Sequence, residues 1–263
     1  MKKIRAFTLA EVLITIGIIG VVAAMTIPNL LTKMDRDKKI ATVRKAQSIL
    51  NQAIKLSTID NEDYEAWDTS LPPREYLDKY YTPYMKVIAY CDTYAKCNYK
   101  SAAPWSRYNG SNSYTGFNAY SRIPIFTLDG ILYSISQTGG SNDQDDNGIY
   151  DFNYIGSNGV FIDVNGPKKP NRFGNDVFML VRNQDGSVMP LGYNLPDSKI
   201  NQDCSKQGKC LYCAEKLRRN GWKSTNDYPW WNPTKLANLK TVYPCVILIL
   251  LKIFKERRLK CQK

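Results

Sequence analysis

The sequence contains no histidine. That one absence excludes Ser-His-Asp and Cys-His nucleophile activation, HExxH zinc chemistry and every mixed Cys/His metal centre. Acidic charge is also short, with 24 Asp and Glu against 36 Lys and Arg, a net +12 over 263 residues. Most of the excess lies at the two ends. Lys2, Lys3 and Arg5 hold +3 and the stretch from Lys235 to Lys263 holds +7, which leaves +2 for the body. A basic face for nucleic acid is therefore not what the net charge describes, and no nucleic-acid partner is expected. Phosphate loops, nucleophile motifs and paired-carboxylate clefts are missing too, so the chain is expected not to be an enzyme.

Without histidine a structural zinc site needs four cysteines. Of the seven present, only Cys210 and Cys213 form a CxxC pair, and no second pair exists to complete a site. Cys91 and Cys97, like Cys204 and Cys210, enclose five residues, a spacing that suits short local disulfides in an oxidising compartment. Cys91 is expected to pair with Cys97, and Cys204 with either Cys210 or Cys213.

The N-terminus carries the strongest signal. After Lys2, Lys3 and Arg5, an apolar run from Phe7 to Leu31 contains a single charge, Glu11. The uncharged residues Val12 to Leu31, at about 1.5 Å each, cover a bilayer core of about 30 Å. The basic flank places the N-terminus in the cytoplasm and the rest of the chain outside, in agreement with the cysteines. Val22-Ala23-Ala24 would also serve as a secretory cleavage site, giving a mature start at Met25. Glu11 argues against that reading, because a carboxylate near the start of an apolar helix costs about 2.5–3.5 kcal/mol on insertion and marks a partner.

The segment Arg5-Ala6-Phe7-Thr8-Leu9-Ala10-Glu11-Val12-Leu13-Ile14 resembles the processing site of type IV prepilins and type II secretion pseudopilins. The resemblance covers about the first thirty residues. It implies cleavage between Ala6 and Phe7 by a prepilin peptidase and methylation of the new amino group on Phe7. It departs from the family at Ala6, where Gly is usual. The family's assembly glutamate falls on Glu11 and its helix-kinking proline on Pro28. A free Phe7 ammonium and the Glu11 carboxylate would neutralise each other in a low-dielectric setting, within one subunit or between neighbours. The partners implied are copies of the chain, other pilin-like subunits, the peptidase, an inner-membrane assembly platform and membrane lipid. The location implied is a single-pass inner-membrane precursor that becomes part of an extracellular pilus or a periplasmic pseudopilus.

Beyond Pro28, Ile40, Val43, Gln47, Leu50 and Ile54 recur every three or four residues, so 33–57 is expected to be an amphipathic helix packed on a sheet. Pro73 opens a short helix through Tyr80. Asp129-Gly130 between two apolar runs predicts a two-residue hairpin, Asp185-Gly186 predicts a second hairpin, and Asn158-Gly159 leads into a strand over 160–164. A late helix from Leu211 to Arg219 closes at Asn220-Gly221. The fold expected is α+β: a long N-terminal helix packed on an antiparallel sheet, a pilin-like roll. The chain then divides into a leader at 1–6 and a helix at 7–57, of which 7–31 spans the membrane or forms a filament core. An extracytoplasmic domain follows at 58–234, then a basic, apolar tail at 235–263 that stands outside the fold argument.

Two acidic loops offer calcium ligands, the one cofactor considered. Asp143, Asp145, Asn147 and Asp151 follow the start of an EF-hand loop, but Tyr154 stands where a bidentate Glu is required. Asp163, Asn165 and Asp176, with Gly166 and Asn171 between them, form the second; some pseudopilins hold calcium in a loop near the sheet. Plain turns explain both loops without an ion. The function these features imply is a filament subunit, with a membrane-anchored binding module that never polymerises as the competing reading.

Overall fold

The computed structural model describes residues 9–111, 122–137 and 159–230. The chain divides into two compact units, one containing residues up to Arg36 and the other running from Asp37 to Trp231. The helix α1 (Leu9–Asp60) contributes to both. It extends three residues past the expected end at Ser57, and stops where Asn61 donates both its main-chain N–H and its side-chain amide to the Ser57 carbonyl. Pro28 lies inside α1, which runs unbroken through it.

In the larger unit, Ile40, Val43, Ala46, Leu50, Ala53 and Ile54 form the buried stripe of α1. Gln47, which the periodicity places on the same stripe, is half-buried at its margin and reaches a strand edge instead. The helix α2 (Pro73–Tyr80) begins on its proline, as read from the sequence. Among the described residues six strands follow in chain order: β1 (Val87–Tyr90), β2 (Ile125–Thr127), β3 (Leu132–Ile135), β4 (Gly159–Asp163), β5 (Val177–Arg182) and β6 (Val188–Pro190). They form one antiparallel meander in which each strand pairs with its sequence neighbours. The strands β3, β4 and β5 are buried along their whole length, so the sheet is covered on both faces and its sequence reads as continuous apolar runs. Trp105 supplies part of that cover by stacking on Phe161 at 5.1 Å. The helices α3 (Asp197–Asp203) and α4 (Cys213–Arg219) complete the unit, with α4 packed on β5 and β6.

The hairpin at Asp129-Gly130 corrects the two-residue expectation. Thr127 and Ile131 close the ladder around three residues, and Gly130 alone is left-handed, at φ +83°. A type I turn followed by a left-handed glycine is the next most common solution to the two-residue hairpin, and it frees Asp129 from any positive φ. Its carboxylate instead accepts the Thr127 hydroxyl at 2.7 Å and pairs with Lys45 of α1 at 2.7 Å. The hairpin between β5 and β6 repeats the device, with Asn183 and Ser187 closing a loop that has Gly186 at φ +77°. Here glycine is required twice over, because a Cβ would lie 2.9 Å from both Ile54 and Tyr64.

Candidate functional site

Residues 9–36 of α1 carry an apolar surface that is exposed among the described residues. Leu13, Ile16, Ile19, Val22, Ile27, Leu30 and Leu31 are all more than half exposed. Covering seven such side chains stabilises by about 10–20 kcal/mol, which favours lipid or a partner surface around this segment. Its polar groups are treated as a membrane requires. The hydroxyls of Thr15, Thr26 and Thr32 donate to the carbonyls of Val12 at 2.9 Å, Val22 at 3.0 Å and Pro28 at 2.8 Å, leaving no hydroxyl to be desolvated unpaired. Pro28 removes one main-chain N–H from the ladder, which makes this the point where the helix is held least tightly by its own hydrogen bonds. The cleavage residues Ala6 and Phe7, and the Glu11 side chain, lie outside the described residues.

Residues 1–27 match the prokaryotic N-terminal methylation motif. This is the prepilin-type signal of type IV pilins and pseudopilins. The signal, with the apolar helix it contains, supports a pilin-like or pseudopilin precursor. No curated protein and no solved structure matches the chain.

The larger unit is tied by two disulfides, Cys91–Cys97 with Cα atoms 5.5 Å apart and Cys204–Cys213 at 4.9 Å. Each closes a small loop, and loops of this size stabilise by about 2–3 kcal/mol. The choice left open for Cys204 falls on Cys213, and Cys210, offered above as a disulfide residue, keeps its thiol. The reason is local geometry. Cys210 is left-handed at φ 62°, donates its N–H to the Asp203 carbonyl at 3.0 Å and turns its sulfur to the Ser205 carbonyl at 3.4 Å. Burial pushes the Cys210 thiol up to about 12, so it is inert as a nucleophile.

Of the two acidic loops, the one with Asp143, Asp145, Asn147 and Asp151 lies outside the described residues, as does the tail 235–263. The other forms a compact polar knot between β4 and β5. Asp163 and Asp176 are both fully buried. The Tyr99 hydroxyl and the Trp105 indole N–H donate to Asp163 Oδ2 at 2.8 and 3.2 Å, and the Asn165 N–H donates to its Oδ1 at 3.3 Å. The main-chain N–H groups of Asn171 and Arg172 donate to the two oxygens of Asp176 at 3.0 and 2.6 Å. Burial pushes both carboxyls above the usual carboxylate range, and in Asp163 the neighbouring Asp176 adds to it. Among the described residues no three acidic or thiol groups converge as metal ligands.

Sequence reasoning missed the device that joins α1 to the sheet edge. Asn51 donates to the Val188 carbonyl at 3.0 Å and accepts the Val188 N–H at 2.9 Å, so its amide acts as one further rung of the ladder beyond β6. Gln47 donates to the same carbonyl at 2.9 Å. A mid-helix asparagine on a half-polar face carries no sequence signal for this; only an unpaired strand edge brought beside it does.

Proposed function

We propose that the protein is a structural, non-catalytic subunit of a type IV pilus-like or type II secretion pseudopilus filament. In this reading the precursor sits in the inner membrane, is cut between Ala6 and Phe7 by prepilin peptidase and methylated on Phe7. It then assembles with copies of itself or other pilin-like subunits through residues 7–31. The observation that carries the reading is the prepilin-type signal at residues 1–27, whose apolar helix continues exposed through Leu30 and Leu31. A plain anchor explains the apolar helix but gives Glu11 no task, whereas assembly gives it the Phe7 ammonium as counter-charge.

Two features support a part in a filament rather than a soluble life beyond the membrane. The larger unit is stapled by disulfides and by the lock between α1 and β6, so it keeps its form when the apolar helix changes surroundings. The helix itself has no unpaired hydroxyl at Thr15, Thr26 or Thr32, so exchanging lipid for neighbouring apolar helices exposes no new polar group. The test is direct: express the tagged chain in a host with a pilus or secretion assembly system, shear the cells, and image and blot the filament fraction. Tagged chain in the filaments is the expected result. Its retention in the membrane, with a processed N-terminus and every assembly component present, would favour the anchored binding module.

A further inference from the structure

Within the larger unit α1 carries a second stripe besides the buried one. Lys45, Ile49, Gln52, Leu56 and Ile59 follow at steps of four and three residues, which keeps them on one face of the helix. Ile49 and Leu56 line a groove of 440 Å³ whose other wall is Tyr84, Met85, Lys86 and the hairpin tip at Leu128. Ile59, 71 % exposed, and Leu128, 67 % exposed, are the most exposed large apolar side chains among the described residues of this unit. The charges beside them are sorted along the helix. Arg44 and Lys223 line a second depression that shares Lys45, Ile49 and Gln52 with the groove. Arg44, Lys86 and Lys223 are exposed and form no ion pair among the described residues. Past Leu56 the sign reverses. Asp60, Glu62, Asp63, Glu65 and Asp68 follow with no Lys or Arg before Arg74, and Asp63 and Glu65 are exposed and form no ion pair among the described residues.

We propose that this face joins two copies of the chain head to tail. The acidic end of one copy, Ile59 with Asp63 and Glu65, docks in the groove of the next, on Ile49 and Leu128 with Arg44, Lys86 and Lys223 around them. This contact rests on the filament reading and lies outside the apolar helix. Charge complementarity selects the occupant and its direction, because acid on acid or base on base repels. The neighbouring charges are already engaged within the chain: Lys45 pairs with Asp129 at 2.7 Å, Glu62 with Lys79 at 3.1 Å, and Asp60 accepts the Tyr84 hydroxyl at 3.0 Å. Exposed ion pairs contribute little apiece, so they set the register while the covering of Ile59 and Leu128 holds the copies together. The two surfaces are different patches of one chain, so the contact is heterologous and repeats without closing, as an open filament requires.

The test uses the full chain, purified in detergent as unlabelled and nitrogen-15 batches, mixed, reconstituted in lipid vesicles and treated with a carbodiimide, which joins a carboxylate to an amine in contact with it. The expected product links the segment 56–74 of one isotope to Lys86 or Lys223 of the other. Reversing the acids (Asp63→Lys with Glu65→Lys) or the bases (Lys86→Glu with Lys223→Glu) should each lower its yield by about fivefold or more, and high salt should act in the same direction. Mixing the two reversed chains should restore the link, since the base-reversed chain keeps its acidic end and the acid-reversed chain keeps its groove; a folding defect would not be rescued in this way. Links found only within one isotope, links from Asp63 and Glu65 to other lysines, or a yield indifferent to both reversals would overturn the contact. A mixed-isotope link in vesicles from a chain that is absent from sheared filaments would sink the filament reading and keep the contact.

Discussion

Replacing Asn51 by alanine isolates the contact between α1 and the sheet edge. The substitution removes two hydrogen bonds to Val188. The carbonyl of Val188 still accepts from Gln47 at 2.9 Å, so its loss is small, about 0.5–1 kcal/mol. The N–H has no such reserve. Val188 is 1 % exposed, and a buried donor left unpaired costs about 1–3 kcal/mol. Alanine returns roughly 0.7 kcal/mol through its higher helix propensity. The net expectation is a loss of about 1–3 kcal/mol, which in a domain of this size lowers the unfolding midpoint by about 4–8 °C for the central value. Native-state hydrogen exchange supplies the second readout. The Val188 amide should lose protection in the variant, whereas Val181, paired with Met189 within the ladder, should keep it. A midpoint within 1 °C of the parent, or equal loss of protection at both amides, would refute the idea that one side chain closes the β6 edge.

The remaining predictions concern processing, assembly, the free thiol and pH. Intact-mass analysis of the native protein should find a chain starting at Phe7 and methylated there; a start at Met25 would support secretory cleavage instead. Glu11→Ala should insert in the membrane at least as well as the parent, because a charge leaves the apolar run, but should enter filaments poorly; equal incorporation at equal membrane level refutes the docking role. Cys210 should resist alkylation at pH 8 in the folded protein and react once the chain is unfolded, as read by peptide mapping, because burial keeps its thiol protonated to about pH 12. Asp227 is held below the usual carboxylate range by the hydrogen bond from the buried Lys216, so its contribution is present above the unfolded value near 4 and fades as pH falls through the lower folded one. The midpoint difference between the parent and Asp227→Asn should therefore shrink on acidification from pH 6 to about 3.

What could be read from the sequence was whatever leaves a periodic or punctuated trace. The buried stripe of α1, the proline start of α2 and the glycine positions of the two hairpins are of this kind. The loop between β2 and β3 was misread in detail because Asp-Gly serves both a two-residue turn and a three-residue one; which forms depends on whether Asp129 is drawn to positive φ or, as here, to Lys45 of α1. The strand β1 was missed because Val87–Tyr90 is four residues long and half-exposed, and a break in register between Val87 and Ala89 turns Ile88 outward, which erases its alternation. The helix α3 has a single apolar residue in seven, the buried Ile200, and so shows no stripe.

The candidate sites divide along the same line. The prepilin-type signal is legible because its pattern is written in consecutive residues. The knot at Asp163 and Asp176 is assembled from four separate stretches of chain, and its local sequence, Asp-Val-Asn-Gly, is that of any polar turn. What distinguishes it is burial, and burial is conferred by Tyr99 and Trp105, which lie about sixty residues away and donate to the same oxygen. A turn on the surface has no need of two aromatic donors. A carboxylate taken wholly out of water does, because each hydrogen bond offsets part of a desolvation cost that a lone turn would never incur. The presence of Tyr99 and Trp105 on Asp163, rather than the acidic loop itself, is thus what separates a built polar centre from an ordinary bend between strands.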